Sequence, residues 1–469
     1  MPRCFVRLSA GLGMILSAAL LCGACTEHAA LPIADGDLAF THVSILPMDG
    51  RSQLLDQTVV VAGGRIVEIA PTTAMVVAPT TTVIDGTGKY LMPGVAEMHG
   101  HYPQDAESQF TRDIMFLYVA NGVTLVRGMQ GGPQHLPLRE SLARGDLIGP
   151  RILVSAPMLH GQNVTDAEQA ITLVRSASET GFDHLKVHEG LSPEVYDAIA
   201  DTANEIGISF SGHVTNHVGL YHALAKGQLT IDHLDNYLEA LVDDQQAVAD
   251  LGLFDLGQLA SRINDTRIAE AVAATVEAGA GVVPTMALWE VLFGARNGEE
   301  WLKIRPEIGY MPPDVVAGWV EGTNQRVEQL GEGREAVSNI LALRRRVLKA
   351  LHDAAVPVLL GTDSPQIFSV PGFSIHHEMA LMVESGLTPY DVLFAGTQAV
   401  AQFYGATDDY GSVAVGRRAD LVLLNTDPTA DVGNFSDRFG VVVNGRWIDE
   451  EEIQTELAAI AARVATDAE

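Results

Sequence analysis

Short apolar runs broken by turn residues fill the first part of the chain, from about residue 38 to 90. Residues 58–62, the pair Gly63-Gly64 and residues 65–69 read as a β-hairpin, because a two-residue glycine turn lets adjacent strands fold back on each other. The same texture returns near the other end, at 420–424, 440–443 and, across Asn444-Gly445, 446–448. Between these β-rich ends the period changes. Apolar runs of strand length occur at 95–98, 124–126, 151–155, 184–187, 209–212, 230–232, 282–284 and 358–360. Most are separated by stretches with apolar residues three and four apart, such as 193–206 and 265–278, the spacing of an amphipathic helix.

Eight strands alternating with helices predict an α/β fold, a parallel (β/α)8 TIM barrel over residues 93–409. The flanking β segments, 38–92 and 410–450, predict a small β-sandwich domain formed from both chain ends. Residues 289–346 exceed what a crossover needs and read as a helical insertion over the barrel mouth.

Composition narrows the class. Of 469 residues, 47% are apolar, enough for a large core. The 59 acidic residues against 29 basic ones give a formal charge of -30, which repels phosphate backbones and argues against a nucleic-acid partner. At the start, Arg3 and Arg7 precede an uncharged apolar run at 8–21, too short to span a bilayer, and small residues follow at Gly23 and Ala24. Residues 1–25 therefore read as a signal peptide. Leu21-Cys22-Gly23-Ala24-Cys25 resembles a lipobox of a Gram-negative-like bacterium, with Cys25 as the lipid-bearing residue, so the expected location is the periplasm or a membrane-anchored lipoprotein. Cys22 departs from the usual leucine there, and cleavage after Ala24 without lipid is the alternative. The only cysteines are Cys4, Cys22 and Cys25, so His, Asp, Glu and Lys must carry any metal chemistry.

His99-Gly100-His101 closes an apolar run, and alternation along a strand puts both imidazoles on one face, where they can share a divalent metal. A surface pair of histidines would look the same. Further ligand types stand at or beside other strand ends: Lys186 in a run expected to be buried, His213 after 208–212, His233 after 230–232 and Asp363 after 356–362. Strand ends of a parallel barrel converge on the face where active sites are built. His160, His188 and Tyr221 follow such strands and are candidate substrate contacts, Glu97 is a candidate partner beneath the histidines, and His376 is either a recurrent site histidine or a packing residue.

Pro93-Gly94, His99-x-His101, Lys186, His213, His233 and Gly361-Thr362-Asp363, with Ser374-Ile375-His376-His377-Glu378 and Gly416-Arg417-Arg418-Ala419-Asp420-Leu421-Val422 further on, resemble the amidohydrolase superfamily, in its imidazolonepropionase-like and prolidase-like branch. The resemblance implies a binuclear centre, with about two zinc ions per chain as the favoured metals. His99, His101 and Asp363 would hold one metal, His213 and His233 the other, and a carbamate on Lys186 would join them. It further implies hydrolysis of a C–N bond in a small-molecule amide or peptide-like substrate by a metal-activated water. Asp363 would be the catalytic base and acid.

Alternatives are a mononuclear cyclic-amide hydrolase or deaminase, a lactonase or phosphotriesterase-like esterase, and a non-catalytic exported metal-binding lipoprotein. Val214-Thr215-Asn216-His217 lacks the acid that deaminases of the superfamily carry after the histidine equivalent to His213, which counts against deamination. Oligomeric state is not legible.

Overall fold

The computed structural model describes residues 31, 33–244, 262–330 and 334–466. The expected signal peptide, with Cys4, Cys22 and Cys25, lies outside the described residues. Among the described residues no helix is long and apolar enough to cross a membrane.

Both chain ends meet in one eight-stranded sheet. Its path runs Arg446–Asp449, Arg438–Val443, Leu421–Leu424, Tyr90–Pro93, Leu38–Ile45, Leu54–Ala62 and Arg65–Pro71, with Thr82–Asp85 also paired to Leu38–Ile45. The predicted hairpin forms across Gly63 and Gly64, at φ 55° and 72°, with Ala62 opposite Arg65. Asn444 and Gly445, at φ 49° and 75°, close the matching hairpin with Val443 opposite Arg446. Left-handed backbone at both turn positions suits the twist of the flanking strands. Phe40, Val59, Leu421, Val442 and their neighbours form this sheet's own apolar cluster.

The middle of the chain builds two parallel sheets. One orders Arg151–Val154, Val123–Gly128 and Val95–Gly100; the other orders Leu185–Val187, Phe210–Gly212, Thr230–Asp232 and Gly281–Val283. Parallel bridges Ser155 to His184 and Leu159 to Val187 link one pair of sheet edges. The expected eighth strand, 358–360, forms no regular strand. It lies between the other two edges all the same, with Leu359 N bonded to Val282 O at 2.9 Å and Met98 N to Leu360 O at 2.8 Å. Beyond it Asp363 turns into the left-handed region at φ 64°, and the pairing continues, with Asp363 N bonded to His99 O and His101 N to Ser364 O, both at 2.7 Å.

Helix Pro193–Ile206 keeps the predicted bounds. Ser192 accepts from Val195 N, proline fills the first turn, and Gly207 at φ 76° ends the helix. The expected insertion consists of helices Met286–Phe293, Gly298–Ile304, Pro313–Leu330 and Arg334–Asp353, so it reaches past residue 346. A last helix, Glu450–Thr466, is absent from the sequence reading. The acidic run at its start supplies Glu450, Glu451 and Glu452 to the first turn, where negative charge interacts favourably with the helix dipole.

Glu378 anchors the insertion. Its buried carboxyl accepts from Met286 N and Ala287 N, at 2.9 and 2.7 Å, at the start of Met286–Phe293. Burial raises its pKa from 4.5 to about 7, against the pull of those donors and of Arg344, with Glu290 adding to the rise. The folded chain thus favours a neutral Glu378, and this contribution to stability fades as pH climbs from about 4.5 to 7. Glu378→Gln should flatten that decline, on the order of 3 kcal/mol at most, in unfolding curves taken across that range. An unchanged slope would assign the decline to other groups.

Candidate metal centre

Four predicted ligands come together from three segments of the chain. His99 ends the buried run of Val95–Gly100 with His101 just beyond, and their ring centroids are 5.6 Å apart. Asp363 Oδ1 lies 2.6 Å from His101 Nε2 and 3.3 Å from His99 Nε2. Lys186, 1% exposed in the strand Leu185–Val187, brings Nζ within 3.1 Å of the same His99 nitrogen. His233 and His213 complete the wall. Ring centroids step 4.4 Å from His99 to His233, 4.5 Å on to His213 and 4.2 Å to His188.

Local backbone makes this convergence feasible. His233, like Asp363, is a non-glycine residue in the left-handed region, at φ 61°, the kind of conformation that persists where surrounding structure imposes it. Gly212, at φ 125°, passes so close to its neighbour that a Cβ would stand 2.7 Å from Lys186 Cδ and 2.4 Å from Val187 O. Only glycine fits beside that lysine. Gly100 lies between the two histidines, and its missing side chain leaves room for the Tyr118 hydroxyl and Val126, each 2.8 Å from where a Cβ would be.

Electrostatics favour uncharged nitrogen ligands. Burial, joined for His99 and His213 by the nearby Lys186, holds both imidazoles well below their usual range, His213 at about 3. Burial and the His99 and His213 rings do the same for His233. Burial also lowers Lys186, against the pull of Asp232 and Asp363, and its side chain hydrogen-bonds to an imidazole nitrogen, His99 Nε2. An ammonium facing that nitrogen is poorly placed, whereas a neutral amine is the form that reacts with carbon dioxide. Buried His101 Nδ1 and His233 Nε2 have no hydrogen-bond partner among the described residues. These donors fit divalent metals of the zinc type, which take neutral imidazole and carboxylate oxygen. His99, His101 and Asp363 bring three ligand atoms within 4.8 Å of one another, and Glu189, His213 and Asp235 form a second such group.

Residues 90–448 match the family described as Amidohydrolase family. The chain belongs to the amidohydrolase family. Over 411 residues it is 25% identical to an adenine deaminase of Rubrobacter xylanophilus, covering 84% of this chain and 55% of that one, so it spans about half that relative's length. An imidazolonepropionase of Haloarcula marismortui is 23% identical over 405 residues, 79% of this chain and 83% of that one. The solved bottromycin amidohydrolase shares the fold, with TM-score 0.71 and 23% identity over 91% of this chain and 90% of that one.

A cavity of about 430 Å³ opens over the amidohydrolase's ligand cluster and is lined by His188, His213, His233 and Asp363 together with Glu189, Asp235, Trp289, Leu292 and Arg344. His188 is thus where the sequence suggested. His160 and Tyr221 are not among the lining residues. His160 is tied into its own loop, where its Nδ1 accepts from Gln162 N at 3.2 Å. Tyr221 lies on the short helix Leu220–Ala225 and packs, partly buried, against the core. His376 is a packing residue, 3.0 Å from Asn121 Oδ1 and against the Phe435 ring. Glu97 accepts from His99 N at 2.9 Å and from the Thr362 hydroxyl at 2.6 Å, joining the two ligand-bearing segments from below.

Several site residues escaped the sequence reading. Arg127 was recoverable, since a charge in the apolar strand Val123–Gly128 demands a buried partner. That partner is Asp232, 3.0 Å away and adjacent to His233. Trp289, Leu292 and Arg344 carry no local signal, because they reach the cavity only through the insertion's packing.

Proposed function

We propose that this amidohydrolase is a binuclear metal-dependent hydrolase that cleaves a C–N bond in a small amide or peptide-like substrate. The observation that carries the reading is Lys186. A buried lysine whose side chain bonds to His99 Nε2, set among neutral histidines, suits a carbamate that would join two metals. His99, His101 and Asp363 would hold one metal and His213 and His233 the other, with zinc the favoured identity. The metals would supply an acidified water and an electrophile for the substrate carbonyl.

Asp363 takes the attacking water's proton and passes it to the leaving nitrogen, so the amine departs neutral. Trp289 and Leu292 form an apolar wall that shields the reacting bond from bulk water, and His188 faces the substrate from the opposite side. The ligand strands belong to a closed (β/α)8 barrel over 93–409, with 38–92 and 410–450 as a composite β domain. The chain acts outside the cytoplasm, in the periplasm or anchored to a membrane through lipid on Cys25.

Two measurements bear on this directly. Elemental analysis of the purified protein should find about two divalent ions per chain, and one or none would sink the binuclear reading. A hydrolysis screen over N-acyl amino acids, dipeptides, cyclic amides and lactones should show amide turnover that a chelator abolishes. Turnover confined to lactones would favour the esterase alternative, for which the same metal core suffices.

A further inference from the structure

The segment Asp232-His233-Leu234-Asp235 contributes more than His233. Asp232 Oδ2 stands 2.9 Å from Nδ1 of His99, and Asp235 Oδ2 stands 2.7 Å from Nδ1 of His213. The two carboxylates, three residues apart, thus reach the inner nitrogens of histidines on two other strands. His99 presents its opposite nitrogen, Nε2, to Lys186 Nζ at 3.1 Å and to Asp363 Oδ1 at 3.3 Å. The neutral His99 ring lies within reach of Asp232, with its Nδ1 turned off hydrogen-bond geometry.

Asp232 is itself held rigidly. Arg127 Nη2 donates to both of its oxygens, at 3.1 and 3.0 Å, and the Thr230 hydroxyl donates to Oδ1 at 2.6 Å. Arg127 also donates through Nη1 to Thr230 and through Nε to Met98 O, the carbonyl just before His99, at 3.0 and 2.6 Å. Arg127 and Asp232 are 1% and 0% exposed, so the pair is charge-balanced away from water. An unpaired carboxylate at that depth would be costly.

We propose that Asp232, braced by Arg127, and Asp235 are positioning residues that orient His99 and His213 by their Nδ1 atoms and thereby set metal retention at the two halves of the centre. A carboxylate at Nδ1 keeps the proton there and leaves the Nε2 lone pair free on the far side of the ring. One loop then controls three ligands: His233 directly and the other two through its carboxylates. The proposal rests on the two-metal reading above.

The test uses the full chain with Asp232→Asn and Asp235→Asn, each checked for fold by circular dichroism. Zinc affinity is read by competition with a chromophoric chelator, and ligand geometry by the visible spectrum of the cobalt-loaded protein. Each variant should bind one zinc equivalent about 10- to 100-fold more weakly than the parent, with an altered cobalt spectrum. A folded variant within twofold of the parent and with an unchanged spectrum overturns the positioning role for its histidine. Unfolding of both variants would assign the carboxylates to stability and overturn it as well. A parent that binds no divalent metal would instead sink the two-metal reading, which keeps the two failures apart.

Discussion

Replacing Asp363 by asparagine should lower kcat of the metal-loaded protein by about 10²- to 10⁴-fold, with KM changed far less. The carboxylate is 4% exposed, lines the cavity and sits within 3.3 Å of both His99 and His101. Asparagine keeps nearly the same shape and one oxygen ligand, so the site can still fill. It loses the ability to take a proton from water and return it to nitrogen. Steady-state kinetics on protein of measured metal content separates the two effects. A variant with full metal content and kcat within tenfold of the parent would remove Asp363 from proton transfer.

The second large effect is expected at Lys186. Lys186→Ala and Lys186→Met should each strip the protein of bound metal and reduce turnover below detection. The alanine variant leaves a void among buried groups, so its loss could reflect packing. Methionine nearly matches lysine in volume and tolerates burial, yet offers no oxygen ligand. Loss of metal in both variants, with the fold intact by circular dichroism, ties the effect to the missing ligand. If Lys186→Met keeps two metals and full turnover, the carbamate role is wrong and Lys186 is a structural residue.

The legible parts of this protein are those written in local chemistry. Gly63-Gly64 and Asn444-Gly445 announce two hairpins because few other residue pairs accept left-handed backbone twice in succession. Ser192, Pro193 and Gly207 bound a helix because each supplies or removes a specific terminal hydrogen bond. His99, His101, Lys186, His213, His233 and Asp363 stand out because polar ligands at the ends of apolar runs converge wherever parallel strands lie side by side.

What escaped was non-local. The eighth strand was expected to be regular, but 358–360 joins its neighbours through isolated bonds, such as Leu359 N to Val282 O and Met98 N to Leu360 O, which depend on the strands on either side. The side-chain directions that exclude His160 and Tyr221 from the cavity depend on how loops and helices leave the strand ends. Arg127 and Asp232 are separated by 105 residues, and only packing brings them together beneath His99. The sequence by itself determined the family, the strand–helix alternation and which side chains could bind metal, because those follow from local periodicity and residue chemistry. Only the tertiary structure decided which nitrogen of His99 faces Lys186, which carboxylates stand behind the histidines, and that Trp289 and Leu292 close the cavity. Those relations lie between elements far apart in the chain, and burial and charge pairing select them once the elements pack.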